Sequence, residues 1–175
     1  MKTANKTRQL TTAALCAALL CVVSPWSIVI GPISLTLAVF GVFFAGAMLA
    51  SPGMAAAAVL VYMALGAVGL PVFSNNMGGA QVLVGVTAGF LWAYPVMAAI
   101  LAAACRRWQG LLPRLGAVLL GQLVCYTLGT VWFMFVMKMG LLPSLTACVF
   151  PFILPDFLKG LAAVLLARGL RARLG

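Results

Sequence analysis

A chain of 175 residues that is 65% hydrophobic and only 7% charged falls far from a soluble domain, where about a quarter of residues carry charge. Its formal net charge of +10 sits at the ends of apolar runs, which speaks for membrane topology and against nucleic acid. With no histidine and one carboxylate side chain, Asp156, there is no ligand set for a transition metal and no base for a Ser-His-Asp mechanism.

Residues 1–9 are basic through Lys2, Lys6 and Arg8 and lead into a first span over 10–30. The apolar run passes any plausible cleavage point into Ser24, Pro25 and Trp26, so it reads as an uncleaved span. Within it Ala13, Ala14, Ala17 and Ala18 have the small-xxx-small spacing that allows close helix approach, in the bundle or against a partner. Gly31, Pro32, Ile33 and Ser34 read as a turn or a partly buried connection at the outer face. A second span covers 35–50, Ser51, Pro52 and Gly53 turn the chain, and a third span covers 54–70. Both are short, about 24–27 Å at the helical rise. Bilayer thinning or burial within the bundle accommodates such spans.

Residues 71–81 form the most distinctive connection. Asn75, Asn76 and Gln81 supply amides, and Gly78 and Gly79 permit backbone shapes closed to other residues. The same composition suits a loop folded over a polar ligand and a plain turn. A fourth span follows over 82–104, with Thr87, Trp92 and Tyr94 as polar or amphipathic members and Gly85 and Gly89 on a slim face. Thr87 and Tyr94 read somewhat more readily as helix–helix hydrogen bonders than as ligand contacts. Arg106, Arg107 and Arg114 separate it from a fifth span over 115–137, which carries Gln122, Tyr126, Thr127 and Trp132. The connection 138–155 holds Pro143, Pro151 and Pro155 and has room for a short helix near 144–150.

The sixth span, 156–170, opens on the chain's one acid. Asp156 and Lys159 are three apart and share a helix face; Pro155 suits the first turn, where Asp156 also meets the positive end of the helix dipole. Such a pair in a membrane segment is either a structural ion pair or a functional site. Lys2, Lys6, Arg8, Arg106, Arg107, Arg114, Arg168, Arg171 and Arg173 fall on one side, leaving Lys138 and Lys159 toward the other. The expected fold is therefore an all-α membrane protein, a single polytopic domain over residues 1–175 with six transmembrane helices and cytoplasmic N- and C-termini. The five cysteines show no CxxC pairing, and no P-loop motif is present, so the chain has no ATPase site of its own. A site near Asp156, Lys159, the Asn75–Asn76 loop and Lys138 opens outward and suits a small molecule with an anionic end and a hydrogen-bonding end.

The stretch Gly66-Ala67-Val68-Gly69-Leu70-Pro71-Val72-Phe73, followed by Gly78-Gly79 and Gly85-Val86-Thr87-Ala88-Gly89-Phe90-Leu91, resembles the signature of the BioY family, the biotin-binding S components of energy-coupling factor (ECF) transporters. Ile30-Gly31-Pro32-Ile33-Ser34-Leu35-Thr36-Leu37 resembles the family's link between its first two helices. Leu154-Pro155-Asp156-Phe157-Leu158-Lys159 resembles its Asp-x-x-Lys motif. The chain departs from the family pattern at Ala38, Asn75–Asn76, Val86, Ala88, Phe90 and Pro155.

The resemblance implies a six-helix plasma-membrane protein that captures biotin from outside with high affinity. It implies a transmembrane coupling protein and two ABC-type ATPases as partners, which use the ATP, docked through the alanines of the first helix. Asp156, Lys159, Asn75, Asn76, Gly79, Thr87, Phe90 and Tyr94 are the implied ligand residues; Gln81 adds an amide and Trp132 a wall. No cofactor or metal is implied. An S component or secondary carrier for another vitamin or small solute is the alternative, a membrane enzyme or passive structural subunit a third class. Action alone, as a homo-oligomer or only with the ATPases all fit the sequence.

Overall fold

The computed structural model describes residues 2–30, 33–49 and 51–174. Among the described residues seven α-helices carry the fold: α1 (Lys2–Val23), α2 (Ala38–Met48), α3 (Pro52–Ala67), α4 (Ala88–Arg107), α5 (Leu111–Met137), α6 (Leu141–Cys148) and α7 (Ile153–Leu174). The 6–23 stretch of α1, α4 and α5 are each long and apolar enough to cross a membrane, and α6 with α7, bent by 45° at their break, form a fourth such unit. The shorter apolar helices α2 and α3 complete six principal helices, with α6 as the short helix expected between the fifth and sixth.

The first span ends earlier than its apolar run. α1 stops at Val23, and the run continues as β1 (Ser27–Ile30), paired antiparallel with β2 (Ile33–Thr36). Ser27 faces Thr36 and Ile30 faces Ile33. The expected turn at Gly31 and Pro32 lies outside the described residues, as does Ala50 at the end of the second expected span. Ile28, Val29 and Ile30 are β-branched and stiff, which suits a pleated strand. Hydropathy does not separate such a strand from another helical turn.

α2 sits at the centre, against α1, α3, α4 and α7. At 11 residues it is shorter than a span, and eight of them are buried, so burial within the bundle accommodates it. Its crossing with α4 depends on Gly46, where a Cβ would stand 2.7 Å from the Ala98 carbonyl oxygen. The fourth helix begins at Ala88, six residues later than expected, because 80–83 forms a 3-10 turn (Ala80–Leu83). Trp92 and Trp132 hold this segment by donating indole N–H bonds to the Leu83 and Gly85 carbonyls (3.0 and 2.9 Å). α5 begins at Leu111 and ends at Met137, capped by Lys138, which is left-handed with φ 52°.

At the opposite end of the bundle two arginines meet helix C-termini. Arg171 donates to the Met48 carbonyl at the end of α2 (3.0 Å). The buried Arg114 donates to the Trp108 carbonyl that caps α4 (3.3 Å) and to Gln109 Oε1 (3.3 Å). Cations placed on C-terminal carbonyls complement the helix dipole.

Candidate functional site

The Asp156–Lys159 pair exists as the spacing predicts. Asp156 lies in the first turn of α7, and Lys159 Nζ stands 2.9 Å from its Oδ1. Asp156 is 6% exposed. Two partners absent from the sequence reading complete the pair. Tyr126 of α5 donates its hydroxyl to Asp156 Oδ2 (3.0 Å), and Lys159 donates a second bond to the Thr36 carbonyl (2.8 Å). The acid thus links α5 to α7, and the lysine links α7 to the foot of the hairpin. Thr36, also buried, donates its hydroxyl to the Ser24 carbonyl and accepts the Ala38 N–H, which fixes how β2 turns into α2.

Asp156 forms part of the wall of a cavity of about 220 Å³. Thr87, Phe90, Leu91 and Tyr94 line it from the start of α4, and Cys125 and Tyr126 from α5. Cys148 and Phe152 flank the α6–α7 break, while Ser34 and Thr36 come from β2 and Ser74, Asn75 and Met77 from the loop after α3. The walls are mostly apolar, with a few polar groups and a single acid, the usual character of a small-molecule site. Among the described lining residues there is no lysine or arginine. Phe90 is backed by Gly129 of α5, where a Cβ would collide with the Phe90 ring.

Asn75 joins the cavity to the hairpin. Its Oδ1 accepts the Ser27 hydroxyl (2.8 Å), its backbone N–H donates to Ser27 Oγ (2.9 Å), and its Nδ2 donates to Ser34 Oγ (2.9 Å). A left-handed backbone, φ 58°, presents the residue to both strands. We expect Asn75→Ala to leave the fold intact and to speed ligand release about tenfold, because the two side-chain hydrogen bonds, of about 0.5–1.5 kcal/mol each, are lost at an exposed seam while the backbone N–H bond to Ser27 remains. Displacement of labelled ligand measures this; an unchanged release rate would show that the hairpin tie does not govern exit.

Not every expected residue reaches the cavity. Asn76 is exposed and does not line it, and Gln81 donates to the Gly78 carbonyl instead. Gly79 acts through its backbone: with φ 101° it donates its N–H to the Gly66 carbonyl (2.7 Å), which fastens the loop to α3. Trp132 is engaged with Gly85, and Lys138 is an exposed helix cap away from the site. Ala13 and Ala17 pack into the core, so of the four alanines only Ala14 and Ala18 are presented outward on α1, beside the exposed Leu15 and Val22. The five cysteines are free, and no group of three metal-ligating side chains occurs among the described residues.

A helical membrane bundle around an apolar cavity, with a buried, partnered carboxylate and residues of a hairpin in its wall, defines a solute-binding membrane protein. The comparisons with known proteins narrow that class. The BioY family pattern matches residues 1–175, and the chain belongs to the BioY family. A biotin transporter BioY of Thermotoga maritima is 35% identical over 165 residues, covering 94% of this chain and 96% of the relative. The biotin transporter BioY of Rhodobacter capsulatus is 36% identical over 148 residues, covering 78% and 77%. Over 98% of this chain and 95% of the other, the fold matches the crystal structure of the S-component for biotin from an ECF-type ABC transporter, with a TM-score of 0.90 at 27% identity.

Proposed function

We propose that this protein is the biotin-capturing S component of an ECF transporter in the plasma membrane. It binds biotin from the outer face and passes it across with a coupling protein and two ATPases. The observation that carries this reading is the whole-chain likeness to an S component for biotin. The cavity supports it chemically. A carboxylate offers about four lone-pair sites, and Lys159 and Tyr126 occupy only part of that capacity. The rest suits the two N–H groups of a ureido ring, while Phe90, Leu91, Phe152 and Met77 suit a thioether bicycle. Since no cation lines the cavity among the described residues, the valerate carboxylate belongs at the hairpin end, near Ser34 and Asn75.

The basic residues at the ends of α4, α5 and α7 support an inward orientation for that end and for both termini. Ala14 and Ala18, with their exposed apolar neighbours, are the part of α1 suited to docking the coupling protein. Of the positions that depart from the family pattern, Asn75 and Phe90 line the cavity, whereas Ala38, Val86, Ala88 and Pro155 do not. Calorimetry of the purified chain against biotin tests the reading. One-to-one binding is expected. A folded protein that gives no heat with biotin but binds another vitamin would replace it with a different-solute S component.

A further inference from the structure

The basic end of the bundle holds two guanidiniums whose charge no side chain among the described residues offsets. Asp156, the one carboxylate side chain, opens α7 and is taken by Lys159, whereas Arg171 lies in the last turn of the same helix. Val164 and Ala167 are buried, and Arg171 continues their face of α7, which brings its guanidinium to the end of α2. Arg114, 5% exposed, lies in the first turn of α5 and folds back over Trp108 and Gln109, beside a helix N-terminus that no side chain caps. The helix dipole there disfavours a cation and favours an anion. Arg114 uses two of its N–H donors and Arg171 one, all on neutral acceptors, and most of each guanidinium stays unpaired. The two also feel each other's charge, so they act as one positive site. Neither is sealed in. Among the described residues the enclosed side-chain atoms without a partner are Ser24 Oγ, Gln122 Nε2 and Thr130 Oγ1, and no arginine nitrogen is one of them. The unpaired N–H groups therefore open to the surface.

We propose that Arg114 and Arg171 hold the phosphodiester of an anionic phospholipid at the basic end of the bundle. Arg114 is three residues from the start of α5 and Arg171 three from the end of α7. At the helical rise that is about 5 Å from each helix end, the level of lipid headgroups beside membrane-spanning helices. A phosphodiester presents two oxygens that a guanidinium fork binds side by side. Basic pockets between spans take headgroups of this kind. Trp108 and Leu112, 48% and 82% exposed, stand at the same level and offer apolar surface to the acyl chains. A free phosphate would meet the same guanidiniums and use none of that surface. Such a site depends on the chain spanning a membrane, not on which solute fills the cavity.

Native mass spectrometry of the chain released from nanodiscs, made with phosphatidylglycerol and phosphatidylcholine in equal amounts, tests this. Retention of phosphatidylglycerol should exceed that of phosphatidylcholine about tenfold. Arg114→Gln with Arg171→Gln should abolish the preference. Arg106→Gln with Arg173→Gln, which removes the same charge from exposed positions at the same end, should keep it. Arg171→Gln alone leaves the buried Arg114 in place and should weaken the preference severalfold, which keeps the test open if the double variant does not fold. In detergent, phosphatidylglycerol should raise the melting temperature where inorganic phosphate or glycerol phosphate at equal concentration does not. Equal retention of both lipids, equal loss in the two double variants, or a matching shift with free phosphate overturns the proposal. So does displacement of the lipid on assembly with a coupling protein, which would give the arginines to an acidic protein surface.

Discussion

Asp156→Ala is expected to abolish biotin capture and to destabilise the fold together. The substitution leaves the Lys159 ammonium, bonded to Thr36 and little exposed, without its counter-charge. Breaking a buried pair from one side costs about 3–5 kcal/mol, because an uncompensated charge remains behind. The two losses are separable. Asp156→Leu combined with Lys159→Met removes both charges at similar volume, and such replacements are often neutral for stability. The double variant should therefore melt close to the parent while its affinity falls by about 10²- to 10⁴-fold, as expected for two charge-assisted hydrogen bonds. Thermal unfolding and calorimetry on the same preparations decide this. Biotin binding by a stable double variant at parental affinity would remove the pair from the ligand site and leave it as a helix tie.

The second large effect concerns the cavity wall. Gly129→Ala sets a methyl group against the ring of Phe90, which itself borders the cavity. The ring can yield only toward the cavity or by parting α4 from α5, and overpacking of this kind costs about 1–3 kcal/mol. Affinity should fall about tenfold, or more. Pairing Gly129→Ala with Phe90→Leu frees the space and should recover most of the loss. Rescue distinguishes a local change of cavity shape from general loosening of the bundle. Failure of the rescue would show that the α4–α5 contact, not the wall, is what Gly129 protects.

The chemistry of the site was legible wherever partners are close in sequence. The i, i+3 spacing brings Asp156 and Lys159 together on one helix turn, and the structure holds them there. Tyr126 donates from 30 residues away and the Thr36 carbonyl accepts from 123 residues away, so no local pattern announces either. The hairpin was hidden differently. Its strands continue an apolar run and look like span, although Ile33, Ser34, Leu35 and Thr36 alternate apolar with polar as a strand does. Once that strand is recognised, Ser27 and Ser34 become partners for an amide from another loop, the role Asn75 fills. The alanines of α1 show the limit of spacing arguments. Two overlapping small-xxx-small sets share the helix, and only packing decides that Ala13 and Ala17 face inward.

The arginine contacts at the basic end carry a consequence for acid tolerance. Arg114 and Arg171 meet backbone carbonyls and an amide there, where many proteins would place carboxylates. A guanidinium stays protonated across the biological pH range, and neither a carbonyl nor a carboxamide takes up a proton there. Among the described residues, these contacts of α5 with the end of α4 and of α7 with the end of α2 therefore hold no carboxylate to take up a proton. Acidifying the compartment on that side leaves the contacts as they are, whereas carboxylate-paired contacts would come apart.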